Sequence, residues 1–170
     1  GLEAAMAFPD SGGNGVELHI ATQWLHEDRG QIATCLKLPE DNVRLVLGGV
    51  GGAFGAREDI SLQVHCCLLA LRTGRPIKMQ YSREESFFGH VHRHPAKIWM
   101  KHHATKEGKI VKVESRMVFD GGAYTSTSPA VLINGITHTQ GPYQCDNAVV
   151  DGYAVRTNNP PCGAMRGFGV

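Results

Sequence analysis

The stretch Gly48-Gly49-Val50-Gly51-Gly52-Ala53-Phe54-Gly55-Ala56-Arg57-Glu58 decides how the chain is read. Five of its first eight residues are glycine. Before it runs Val43-Arg44-Leu45-Val46-Leu47, an apolar run that reads as a buried strand. After it, residues 60–71 carry the composition of a helix, and Gly74 closes the segment. The glycines therefore stand at a strand-to-helix turn. Glycine there permits positive φ and lets a ligand approach the backbone closely. Open N–H groups of such a turn, and of the helix start, suit an anionic or oxo-bearing ligand. A tight turn with no ligand is the plainer alternative. The loop fits neither G-x-G-x-x-G nor G-x-x-x-x-G-K-[ST] cleanly.

Outward from this stretch, Val16, Leu18 and Ile20 alternate with polar neighbours and predict a half-buried strand that ends at Ala21-Thr22-Gln23. A helix is predicted over about 25–37, with Leu25, Ile32, Cys35 and Leu36 on one side and Pro39 as its stop. Residues 77–81 read as a strand. Ser82-Arg83-Glu84-Glu85 has the form of a capping box opening a short helical turn. A hairpin follows, 96–104 and 109–119, turning at Lys106-Glu107-Gly108. Asp120-Gly121-Gly122-Ala123-Tyr124 is expected to break the second strand. A short helix over 129–135 and a last strand over 149–155 complete the elements, and Pro160-Pro161 leads into a second glycine loop, 163–169. Alternating strands and helices followed by a hairpin define an α+β class: a mixed β-sheet with helices packed on it.

Composition narrows the function. The chain has 170 residues, 42% of them hydrophobic and 19% charged, as in a globular protein rather than a disordered one. A net charge of +1 gives no basic field for nucleic acid. No apolar run reaches membrane-spanning length. The five cysteines are odd in number and form no C-x-x-C, which argues against a disulfide framework and for a reducing, cytoplasmic setting. The abrupt ends lead to the expectation that residues 1–170 form a single partial domain of a larger subunit.

Several side chains are candidates for chemistry. His90, His92 and His94 alternate, with His102 and His103 nearby, as a metal site could want; without an acid or cysteine at ligand spacing, polar surface or hydrogen-bonded packing near Arg93 is the favoured reading. Glu58 follows the glycine loop directly. It is either a first-turn acid stabilised by the helix dipole, or a group aimed at whatever the loop holds, or both. Gln23 ends a strand, with an amide that donates and accepts. Arg166 carries a permanent charge in the second glycine loop.

Taken together, Thr22-Gln23, Gly51-Gly52-Ala53-Phe54-Gly55-Ala56-Arg57-Glu58 and Ala164-Met165-Arg166-Gly167-Phe168-Gly169 resemble three motifs of the molybdopterin-binding subunit of xanthine dehydrogenases and aldehyde oxidases. Arg93-His94-Pro95 falls in register too, and nearly the whole chain can be laid along that family. The wording GGVGGAFGAREDIS looks most like bacterial xanthine-dehydrogenase-type chains. The resemblance implies a fold of the molybdenum-cofactor-binding-domain type and a part in a molybdenum hydroxylase. Such an enzyme oxidises purine-like N-heterocycles or aldehydes at carbon, with water as the oxygen source.

The same resemblance implies roles residue by residue. Gln23, Gly52, Phe54, Gly55, Arg166 and Gly167 are expected at the cofactor: Gln23 on a metal oxo ligand, the Phe54-Gly55 backbone against metal and pterin, Arg166 beside the metal. Glu58, Asn134, Met165 and Phe168 are expected at the substrate, with Glu58 and Arg166 also assisting catalysis. No protein side chain is expected to ligate the metal directly. Asn134 stands where xanthine-oxidising members carry an arginine, which counts against xanthine itself, and Met165 replaces the usual aromatic. The family's general-base glutamate would lie beyond Val170, so the chain alone is expected to be inactive. The cofactor would be molybdopterin, in its simple or a dinucleotide form. FAD and [2Fe-2S] clusters would sit on partner subunits or domains of an oligomeric parent, because this chain has no cysteine spacing for a cluster. A phosphate- or nucleotide-binding module built on the glycine loop, or a non-catalytic scaffold, are the competing readings.

Overall fold

The computed structural model describes residues 2–170, which pack as two compact units, the first ending at His90 and the second beginning at Val91. The first unit holds β1 (Ala4–Pro9), β2 (Val16–Ile20), α1 (Leu25–Leu36), β3 (Val43–Leu47), α2 (Gln63–Thr73), β4 (Ile77–Gln80) and α3 (Arg83–Gly89). The sheet order is β3-β2-β1-β4. β1 runs antiparallel to both β2 and β4, whereas β2 and β3 are parallel, joined by the α1 crossover. The mixed sheet with helices on it is the predicted class.

Alternation builds the core. Ala5 and Ala7 of β1 and Val16, Leu18 and Ile20 of β2 point to the face carrying Ile32 of α1 and Leu62, Cys66, Cys67 and Ala70 around α2. The strand β1 was not foreseen. Its small Ala5 and Ala7 allow α2 to pack directly across the sheet, so packing overrides alanine's low strand preference. The strand expected to be buried, β3, is an edge strand: Val43 is covered, but Leu47 is 52% exposed. On α1, Ile32 is buried as expected, whereas Cys35 is exposed and Asp28 is buried in its place. The helix stops at Lys37, a left-handed cap two residues before Pro39. Helix α2 ends at Gly74 in the left-handed region, as its glycine implied, but begins at Gln63 rather than residue 60. The Gln63 side chain takes up the Ser61 N–H at 2.7 Å, an alternative to helical pairing. Ser82 and Glu85 form the predicted capping box on α3.

The second unit holds β5 (Ala96–Ala104), β6 (Ile110–Gly122), α4 (Ser128–His138) and β7 (Ala148–Arg156), in the order β5-β6-β7. The β5–β6 hairpin is antiparallel, and α4 crosses over to make β7 parallel to β6. Met117, Phe119 and Val131 form its core, with Leu132, Ile136 and Phe168 against them. The break expected at Asp120 is a register shift within a continuing strand. Asp120 Oδ1 accepts from Gly122 N at 2.9 Å and from Thr157 Oγ1 at 2.6 Å, and Asn159 donates to Oδ2, so the irregular backbone is tied across to the end of β7. Helix α4 is longer than the short helix expected over 129–135.

Candidate functional site

In the first unit the glycine loop is fastened at both ends to the strand end that carries Gln23. Gly48 N donates to Ile20 O at 2.8 Å, and Gln23 N donates to Arg57 O at 2.9 Å. Between these ties Phe54 and Gly55 have φ of 54° and 89°, both left-handed. The Phe54 ring lies across Gly52, where an added Cβ would come within 2.9 Å of Cε2, and the ring is 61% exposed.

The side chain of Gln23 organises the loop. Its Oε1 accepts from Gly55 N at 3.1 Å and Arg57 N at 3.3 Å, and its Nε2 donates to Glu58 Oε1 at 3.3 Å. Two backbone donors on one side fix which end of the amide is oxygen. The nitrogen therefore faces Glu58, and its second proton has no acceptor among the described residues. Ala56 N and Glu58 N are also used, by Ala53 O and Gly55 O. The expected open nest of N–H groups is accordingly replaced, over residues 55–58, by donors already satisfied within the chain.

Glu58 is half-buried. Its Oε2 is enclosed and accepts no hydrogen bond among the described residues. Burial first, and the Asp59 charge second, push its carboxyl above the usual glutamate range, against the hydrogen bond from Gln23. The preceding Arg57 is not aimed at a ligand. It pairs with Glu3 at 2.7 Å and donates to Leu2 O at 3.1 Å, clamping the loop to the start of β1. The Thr22 hydroxyl donates to Arg57 O at 3.2 Å, a further tie.

In the second unit Asn134, Gly167 and Phe168 come together. Asn134 Nδ2 donates to Phe168 O at 2.7 Å and lies 3.5 Å from Gly167 O. Phe168 and Gly167 have φ of 50° and 93°, so this contact holds a strained turn. The Phe168 ring packs in part on the Met117–Phe119–Val131 core. Met165 is half-buried, and Arg166 is exposed on the loop. The histidines do not converge. His94 is buried, with Nε2 2.7 Å from Ser128 Oγ; His90 meets Ala56 O at 3.0 Å; His103 meets Glu114 at 3.3 Å. Among the described residues no group of three or more His, Cys, Asp or Glu could hold a metal ion.

Sequence reading missed the Glu3–Arg57 clamp and the pair formed by Asp28 and Gln63. Asp28 lies three residues after Leu25 and four before Ile32, on the apolar stripe of α1. That position was the available signal.

The chain matches the family model of the molybdopterin cofactor-binding domain over residues 2–170, and it belongs to that family. It is 43% identical over 168 residues to the nicotinate dehydrogenase large molybdopterin subunit of Eubacterium barkeri, covering 99% of this chain and 39% of that protein. It is 38% identical over 167 residues to a probable xanthine dehydrogenase subunit from Bacillus subtilis, covering 98% of this chain and 22% of that one. The aldehyde oxidoreductase of Desulfovibrio gigas superposes with a TM-score of 0.92 at 26% identity, over 99% of this chain and 18% of that one. The chain thus spans well under half the length of these relatives.

Proposed function

We propose that the chain supplies part of the cofactor and substrate pocket of a molybdenum hydroxylase that oxidises an aromatic N-heterocycle, or an aldehyde, at carbon. The observation that carries this reading is the Gln23 amide, oriented by two loop N–H groups and presenting a spare proton beside the Glu58 carboxylate. These residues fit a molybdenum cofactor: a neutral amide donor suits an oxo ligand without adding redox chemistry, and the enclosed, unpartnered Glu58 oxygen suits a donor on a planar substrate. The cofactor, when bound, supplies the two-electron oxidation of the carbon centre.

The rest falls to the chain. Gln23 holds an acceptor oxygen in place. Phe54, with its backbone fixed in the left-handed region, offers an exposed apolar surface. Glu58 orients a heterocyclic N–H by accepting its hydrogen bond. Asn134 sets the turn from which Arg166, Gly167 and Phe168 are presented. The names of the relatives, which include a nicotinate dehydrogenase, support the heterocycle class. Iron–sulfur and FAD partners would carry electrons away. The larger subunit would work in the cytoplasm, a reading that the five free cysteines support.

The test is hydroxylation by the purified parent enzyme in heavy-oxygen water. Heavy oxygen in the product, with molybdenum bound, is expected. Oxygen drawn from dioxygen, or full activity without molybdenum, would overturn the reading.

A further inference from the structure

Asp28 lies outside every motif, yet its side chain is 0% exposed. Gln63 Nε2 approaches its Oδ2 at 3.4 Å, while Oδ1 is enclosed and has no hydrogen bond of ordinary geometry. Among the described residues no cation faces it. The charged group that acts on it is itself acidic, Asp59. An ionised carboxylate buried in that setting is costly, and the usual outcome is that it keeps its proton.

Its neighbours are the two anchors of the glycine loop. Gln63 passes the contact on, since its Oε1 accepts from Ser61 N at 2.7 Å and from Ser61 Oγ at 3.4 Å, three residues past Glu58. Thr22 stands beside Gln23 and also approaches the Asp28 carboxyl. The Thr22 hydroxyl has one proton, which goes to Arg57 O at 3.2 Å, and it accepts from Trp24 N at 3.2 Å.

We propose that Asp28 is a neutral carboxylic acid in the folded protein and a positioning residue for the site. It holds Gln63, and through the Gln63 contacts to Ser61 it fixes the loop exit that carries Glu58. The activity consequence rests on the molybdenum-hydroxylase reading; the protonation and the anchoring do not.

The experiment uses the purified parent enzyme with Asp28→Asn, Asp28→Ala and Gln63→Met. Infrared spectra at neutral pH should show the carbonyl stretch of a protonated carboxylic acid that Asp28→Asn removes. Amide exchange at Gly55 and Arg57 should stay close to wild type in Asp28→Asn, whose amide can still donate. It should rise about tenfold in Asp28→Ala and Gln63→Met, the effect of losing roughly one buried hydrogen bond. KM for the heterocycle should rise by a similar factor in Gln63→Met, with kcat and bound molybdenum held. If Asp28→Ala fails to fold, the infrared band and Gln63→Met still decide the matter. An infrared spectrum unchanged by Asp28→Asn, or loop exchange unchanged in Gln63→Met, would overturn the proposal. An enzyme that holds no molybdenum would sink the hydroxylase reading alone, since the infrared and exchange results can still be read.

Discussion

The amide nitrogen of Gln23 donates to the Glu58 carboxylate across 3.3 Å, joining a strand end to the exit of the glycine loop. The same amide accepts from Gly55 N and Arg57 N. One neutral side chain therefore shapes the loop and faces the acid beside it. Mobility in the loop and the position of the acid are linked through it.

Gln23→Leu tests that link. It leaves the N–H groups of Gly55 and Arg57 without their acceptor, at a cost of about 1–3 kcal/mol if they stay buried. The expected outcome is faster amide exchange confined to residues 52–58, a drop in molybdenum content, and little change in the second unit. Unchanged exchange in the loop would mean that the backbone ties alone hold it.

The Glu58 carboxyl has a raised pKa, from burial and then from Asp59. If a charged Glu58 accepts the hydrogen bond from substrate, kcat/KM should fall as pH drops, and the fall should begin at higher pH than for an ordinary glutamate. Asp59→Asn removes the like charge and should move that acid limb to lower pH. Glu58→Gln should lower turnover of a heterocycle by about tenfold or more and flatten the limb. It should not destabilise the fold, because it removes a partly buried charge with an unpartnered oxygen. A pH profile left unmoved by both variants would take Glu58 out of the site.

Much of the frame was legible because its signals are local. Alternation gave β2, and Gly74 gave the end of α2. Ser82 and Glu85 marked the start of α3, and the turn at Gly108 marked the β5–β6 hairpin. What escaped depends on partners distant in sequence. The strand β1 is an alanine-rich segment that becomes a strand because β2 and β4 flank it and α2 packs over it. Gln23 and Glu58 could be picked out singly, but the hydrogen bonds that join them across 35 residues could not. Arg57 read as part of a ligand loop, and its bond to Glu3, 54 residues away, makes it a clamp. Asp28 broke an apolar stripe in plain view, though nothing local said that the chain would bury it.

Asn134 is committed to the second glycine loop through its 2.7 Å bond to Phe168 O. Asn134→Ala should cost about 1 kcal/mol and release the strained turn at Phe168. A higher KM for a planar substrate is expected, with kcat less affected. Asn134→Arg should raise the preference for xanthine over a purine lacking the second oxo group, but at lower overall kcat/KM, since the loop loses its anchor. Steady-state kinetics on the two substrates measure both effects. An unaltered preference would show that residue 134 does not face the substrate.

The Glu3–Arg57 clamp sets an acid limit on stability. Burial pushes the Glu3 carboxyl up, but hydrogen bonds from Ser86 and Arg57, its own backbone, and the Arg57 charge together outweigh it, so its pKa lies below the ordinary 4.5. A group with a depressed folded pKa adds stability above its unfolded pKa, and that stability is lost as pH falls through the folded value. At neutral pH Glu3→Gln should lose about 1.5–3 kcal/mol, the range for a hydrogen bond to a charged group. The difference from wild type should shrink as pH drops below the ordinary carboxylate range, where protonated Glu3 comes to resemble glutamine. Asp28 has the opposite sign. Burial, opposed by Thr22 and Gln63 and reinforced by Asp59, raises its pKa, so it costs stability progressively as pH rises above its ordinary value. Asp28→Asn should therefore flatten the neutral side of the stability profile, and Glu3→Gln the acid side. Chemical denaturation of the chain at stepped pH, followed by circular dichroism, separates the two. Equal losses from Glu3→Gln at acid and neutral pH would show that the clamp does not act through charge.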